Sequence, residues 1–315
     1  MRFFLLVALL LVGCEPEVPD TDTAAPVLST ATSSEAMNVV EVVTRGMAFD
    51  APDEVPSGWT TVRLKNEGEV THFALFNKMP EGYGIEDQLA EVAPVFVEGA
   101  ELLYAGEMEA AMEVFGKLPE WSQRAVYVGG PGLLAPGNTA EVTMNLAPGT
   151  YVLECYVKTN GAFHPMAHEI TVTDAGSSGS APTPTLEMTI SSTGGIEAED
   201  DVPAGTHTVA LHFADQVVHE HFLGHDVHLA RIDDDTDLDA LAGWMNWAVK
   251  EGLNTPPPAE FLGGTHEMPA GETAYFTVTL EPGQRYAWVA EVPDPAAKGM
   301  LKTFTVSQPS DPSDS

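Results

Sequence analysis

Pro148-Gly149-Thr150-Tyr151-Val152-Leu153-Glu154-Cys155 reads as a tight turn feeding a strand. A Pro-Gly pair punctuates the chain, and the run behind it is short and rich in β-branched and aromatic residues. Working outward, Ala140-Glu141-Val142-Thr143-Met144, Thr61-Val62-Arg63-Leu64 and Val39-Val40-Glu41-Val42-Val43 have the same character. Each is bounded by Pro-Gly or Asn/Gly turns, the pattern of an antiparallel sandwich.

The pattern occurs twice. Val55-Pro56-Ser57-Gly58-Trp59-Thr60-Thr61-Val62-Arg63-Leu64 is answered by Val202-Pro203-Ala204-Gly205-Thr206-His207-Thr208-Val209-Ala210-Leu211. The stretch 135–149, from Ala135-Pro136-Gly137 to Ala147-Pro148-Gly149, is answered by 269–283, and the closing Ile170-Thr171-Val172 by Phe304-Thr305-Val306. Three matches in one order mark a duplicated domain rather than a short-period solenoid. The expected boundaries are 37–173 and 186–307. A Gly/Ser/Pro-rich linker (174–185) separates them, and a polar tail (308–315) follows. Each half also carries a helical insertion. The first covers residues 85–118, with Leu89, Val92, Val95, Ala111, Val114 and Phe115 at helical spacing. The second covers residues 238–251, with Trp244 and Trp247 on one face as core packing.

Composition narrows the function. Of 315 residues, 13 are Lys or Arg and 47 Asp or Glu, a formal net charge of -34. Such a surface repels phosphate backbones, which excludes nucleic acid as a partner. The acidic run Asp233-Asp234-Asp235-Thr236-Asp237-Leu238-Asp239 lacks the glycine and terminal glutamate of an EF-hand loop and reads as solvated. At the N-terminus, Met1-Arg2-Phe3-Phe4 leads through an apolar run to Leu11-Val12-Gly13-Cys14. That run is too short to span a bilayer. It resembles a bacterial lipoprotein signal (1–14), which implies lipidation at Cys14 and a flexible tether over 15–36. The expected location is the cell envelope, lipid-anchored to a membrane, with Glu15 favouring the outer membrane. Lipidation of Cys14 leaves Cys155 as an unpaired exported thiol: buried, reactive or metal-bound.

His72 follows a strand and the turn-like Lys65-Asn66-Glu67-Gly68-Glu69, Cys155 ends a late strand, and Gly161-Ala162-Phe163-His164-Pro165-Met166-Ala167-His168 precedes the last one. Thiolate, thioether and imidazole form the donor set of a copper electron-transfer site. The order of strand, Asn-x-Gly, His, Pro-Gly-x-Tyr-x-x-x-Cys strand, His/Met loop and closing strand resembles the cupredoxin (plastocyanin/azurin-like) family. That resemblance implies an all-β fold of two tandem cupredoxin-like Greek-key β-sandwiches. It also implies mononuclear copper held by His72, Cys155 and His164, with Met166 as axial ligand. His164 stands two residues before Met166, closer than the family's usual spacing. His168 as a substitute ligand, or Met166 as plain core, therefore remains open.

In the second half His225 matches His72 and Met300 matches Met166, but Ala290 stands where Cys155 stood, which excludes a blue-copper site there. His212, His219, His221, His225, His228 and His266 cluster nearby. A His-only site for zinc or oxidised copper is one reading of them and loop histidines the other; His219 and His221 share a face if that segment is extended. Motifs of serine hydrolases, zinc proteases and phosphate-binding loops are absent. The expectation is electron transfer or copper holding with a redox or envelope protein partner, and no enzymatic turnover. The alternative is a metal-free binding or structural module of the envelope.

Overall fold

The computed structural model describes residues 37–307. The expected lipidation site Cys14, the expected tether and the polar tail lie outside the described residues. In the first half, Asn38–Thr44 runs parallel to Glu54–Asn66, pairing Val40 with Val62 and Val42 with Leu64. Alternate residues of both strands point inward, as the period-2 pattern requires. The long strand serves two sheets. From Gly58 onward it pairs antiparallel with Thr139–Leu146, while Val55 and its neighbours pair parallel with Met166–Ser178. Gly58 sits at the changeover with φ 108, a conformation that only glycine adopts freely. The second sheet continues from Met166–Ser178 through Gly149–Cys155 and Leu75–Lys78 to Val126–Tyr127. Val40, Val62, Val142 and Met144 from one sheet pack against Phe76, Tyr151, Leu153 and Ile170 from the other.

The second half repeats this plan. Leu186–Ser191 runs parallel to Gly205–Phe213, which pairs antiparallel with Thr273–Leu280. The other sheet runs Val202–Pro203, Leu301–Ser307, Arg285–Val289, Val227–Ile232, Glu260–Thr265. Val55 pairs with Val172 in the first half as Val202 pairs with Val306 in the second, so the sequence match reproduces the register. The fold is all-β, two β-sandwiches each with a helical insertion.

The insertions are more broken than their spacing predicts. Residues 85–118 form Ile85–Asp87, a π-turn over Gln88–Val92, Ala93–Tyr104 and Met108–Phe115, interrupted at Gly106 with φ 78. In the second half the helix is Leu238–Trp244, capped by the Asp237 carboxylate, which accepts from the Asp239 and Ala240 amides. Trp247 therefore lies beyond the helix rather than on its face. Both tryptophans are buried in the core, as expected. The strand Met166–Ser178 also runs into the stretch read as a linker.

The halves are not beads on a string; all described residues fall within one compact unit. Thr139–Leu146 pairs antiparallel with Thr273–Leu280, placing Val142 opposite Phe276, Thr143 opposite Tyr275 and Glu141 opposite Thr277. Val142 and Phe276 occupy equivalent positions of the repeat, and each flanking pair is the mirror of the other. A local two-fold axis thus passes between them, as in an isologous dimer. A second seam obeys the same axis. The Gly132 amide donates to the Gly264 carbonyl and the His266 amide to the Gly130 carbonyl. Likewise the Gly129 amide donates to Glu267 and the Gly263 amide to Leu133, and Pro131 faces Thr265. Gly130 and Gly264 are equivalent here too. A Cβ at Gly130 would lie 2.1 Å from the Ala74 carbonyl oxygen, and one at Gly264 2.2 Å from that of Val227.

Candidate metal centres

His72 and Cys155 come together. The former leads into the strand Leu75–Lys78 and the latter ends the neighbouring Gly149–Cys155, so adjacent strands deliver both side chains to one end of the sheet. His72 Nδ1 lies 3.5 Å from Cys155 Sγ, and both residues are sealed from solvent. Burial holds the imidazole down at about 4 and pushes the thiol up to about 11, so both are neutral at pH 7. Met166 is buried and lies directly across the ladder from Cys155.

His164 does not join them. It is exposed, on the loop between the small hairpin of Lys158–Thr159 with Ala162–Phe163 and the strand that begins at Met166. His72, Cys155 and His164 are not among the described groups of three or more metal-ligating side chains whose donor atoms lie within 4.8 Å. The hairpin is the physical reason: it uses the residues between Cys155 and Met166 to build a turn, with Asn160 and Gly161 at positive φ. His168, the substitute, sits in the strand with Nε2 3.4 Å from Asp53 Oδ1.

The hairpin also buries a lysine. Lys158 Nζ donates to Tyr104 Oη (3.0 Å), the Trp247 carbonyl (2.9 Å) and the Val249 carbonyl (2.6 Å), and lies over the Tyr104 ring. Desolvation brings this amine down to about 7. Beside the hairpin, a cavity of about 120 Å³ is lined by Cys155, Tyr156 and Met166, by Glu154 and Glu267, and by apolar residues of the first helical insertion. Burial raises Glu154 to about 7 and Glu267 to about 8.

A second constellation lies in the other half, against the seam. Asp226, His228, His266 and Glu291 are all buried, and one donor atom from each lies within 4.8 Å of the others. The Leu133 amide donates to His228 Nδ1 at 3.1 Å, which fixes the ring proton on Nε2. That Nε2–H donates to Asp226 Oδ2 at 2.8 Å, and the Glu291 amide donates to Asp226 Oδ1 at 2.6 Å. His266 Nδ1 is 3.8 Å from Asp226 Oδ2, and the Tyr156 hydroxyl donates to Glu291 Oε2 at 3.3 Å. His266 Nε2 and Glu291 Oε1 are buried without a hydrogen bond. Burial raises the Glu291 carboxyl well above its ordinary value, helped by Asp226 and Glu267, and burial holds His266 well below its own.

Of this cluster, the sequence pointed to His228 and His266 and missed the carboxylates. The signal lay in the repeat. Asp226 and His228 stand where the first half has Phe73 and Leu75, and Glu291 follows Ala290 as Tyr156 follows Cys155. Each is a polar residue at a position that the other half fills with a less polar one. The remaining histidines take other roles. His219 and His221 do not share an extended face, because the segment forms a 3₁₀ turn with His221 at φ 64. His225 is buried and joins His219 (2.8 Å) to Asp215 (3.0 Å).

No protein-family model matches the chain, and no curated protein matches its sequence. Among solved structures, auracyanin A, a "blue" copper protein from Chloroflexus aurantiacus, is 24% identical over 44% of this chain and 100% of its own, with a TM-score of 0.28. Auracyanin from Roseiflexus castenholzii is 22% identical over 44% and 98%, with a TM-score of 0.25. A Cu-containing nitrite reductase from Thermus scotoductus is 11% identical over 87% of this chain and 63% of its own, with a TM-score of 0.20. A multicopper oxidase also matches, at 13% identity over 85% and 88% with a TM-score of 0.23. The fold is all-β, a pair of β-sandwiches, as the sequence resemblance implied. Matches this distant transfer no function. They do overturn the expectation that the chain is not an enzyme, because the similar structures include two copper enzymes. Nor do they establish turnover. Among the described residues, no helix is long and apolar enough to cross a membrane.

Proposed function

We propose that the protein binds copper in its first half, at His72, Cys155 and Met166, with His164 supplied from the adjoining loop. The carrying observation is the 3.5 Å approach of His72 Nδ1 to Cys155 Sγ inside a sealed core. Thiolate, imidazole and thioether suit copper better than any hard cation. Loading displaces the thiol proton, so affinity rises with pH. Copper bound there supplies one-electron chemistry. The protein's own part is to exclude water, to present Nδ1 of a neutral imidazole, and to keep the sulfur from disulfide exchange. An envelope location, a lipid anchor at Cys14 and a redox or envelope protein partner belong to the same reading and rest on the sequence.

The test is copper titration of the unit beginning at Glu35, with metal analysis and visible absorption. One copper per chain with an intense thiolate-to-copper band is the expected result, abolished by Cys155→Ser. His164→Ala should weaken the band more than His168→Ala does. Copper held equally by Cys155→Ser refutes the ligand set, and no retained copper moves the first half to the metal-free alternative.

A further inference from the structure

The seam cluster differs in chemistry from the His72–Cys155 pair, because it offers oxygen and imidazole nitrogen and no sulfur. We propose that Asp226, His266 and Glu291 hold a divalent cation of the zinc class, with His228 as a positioning residue behind Asp226. His228 is excluded as a direct ligand by its own hydrogen bonds. Its Nδ1 already accepts the Leu133 amide, so ligation through Nε2 would demand an imidazolate. In the tautomer that this bond imposes it donates to Asp226 Oδ2, as an outer residue does when it orients a metal-binding carboxylate.

The other three side chains have what a cation needs. Glu291 Oε1 and His266 Nε2 are buried polar atoms without a partner, and such atoms are rare in native interiors. Asp226 is held by two donors, His228 Nε2 and the Glu291 amide, and presents Oδ2 toward His266 Nδ1 at 3.8 Å. Two carboxylates and a neutral imidazole balance a 2+ charge and match zinc's donor preferences, and three protein ligands leave a position open. Tyr156, whose hydroxyl bonds Glu291, also lines the cavity shared with Cys155 and the carboxyls of Glu154 and Glu267.

Metal-stripped full-length protein would be titrated with Zn²⁺, and with Co²⁺ as a spectroscopic reporter, in excess Mg²⁺ to occupy the acidic surface. One equivalent of Co²⁺ should give the strong visible absorption of a low-coordinate ion, displaced by Zn²⁺. Cys155→Ser should leave that signal intact while removing copper, which separates this site from the one proposed above. Glu291→Gln and His266→Gln should each abolish it, with circular dichroism confirming the fold. His228→Gln should retain it at an affinity lower by about 10–100-fold. Only weak octahedral absorption from the wild-type protein would overturn the proposal, whatever the variants do. So would full binding by a folded Glu291→Gln.

Discussion

Gly132→Ala tests how tightly the two halves are locked. Gly132 is not among the positive-φ residues, so its backbone accepts a side chain. With space available, the substitution would stabilise by about 0.4–1 kcal/mol through the unfolded chain. Space is what the seam denies. The added Cβ would lie 2.5 Å from His228 Nδ1 and 3.1 Å from the Gly264 carbonyl carbon, where ordinary contact begins at 3.4 Å. The imidazole must retreat by about 0.9 Å, taking it out of hydrogen-bonding range of the Leu133 amide, now 3.1 Å away. Overpacking costs about 1–3 kcal/mol. An orphaned buried amide costs about 1–3 kcal/mol more. At about 2–4 °C per kcal/mol for a chain of this size, the melting temperature should fall by roughly 5–20 °C. The assay is thermal unfolding by circular dichroism beside Gly243→Ala, in the last turn of Leu238–Trp244, where a Cβ meets nothing within 4 Å. That control should be neutral or stabilised by up to about 1 kcal/mol. An unchanged or raised melting temperature for Gly132→Ala would refute the close packing at the axis.

Two further outcomes follow from the fold. Desolvation brings Lys158 down to about 7 in the folded protein from its ordinary 10.5 when unfolded, so the unfolded chain binds more protons between those values. Stability should therefore rise as pH climbs from about 7 to about 10.5, and Lys158→Met should flatten that slope in urea titrations; an unaltered slope would exclude Lys158 as its source. Phe276→Ala removes the large side chain opposite Val142 and should cost about 3–5 kcal/mol. Because one sheet runs through both halves, calorimetry should still show a single transition, whereas two resolved transitions would mean that the halves fold separately.

The strands and the duplication were legible because alternation and Pro-Gly punctuation are local signals, and a repeat aligns them twice. His72 and Cys155 were legible as a pair for the same reason, since both sit at strand ends whose register the pattern fixes. The exposed loop position of His164 was not, because it depends on a hairpin set by Asn160 and Gly161 at positive φ, which no periodicity encodes. The breaks in the first helical insertion were hidden similarly, since apolar spacing continues across Gly106 although the helix does not. The seam cluster was harder still. Asp226 and Glu291 are 65 residues apart and meet through a backbone amide, so no linear spacing reveals them. Only a comparison of the halves, position by position, exposes polar residues where the fold needs none.

The local two-fold axis also limits what an unfused ancestor could contain. In a dimer of identical chains every substitution appears on both sides of the axis. A pair such as Asp226 and Glu291 would face its own copy, crowding four buried carboxylates around one dry seam, a repulsion that costs the assembly dearly. Joining two copies in one chain lifts that constraint, since one side can turn acidic while the other keeps Phe73 and Tyr156 to pack against it. The asymmetry of the seam is a property that no dimer of identical chains can hold.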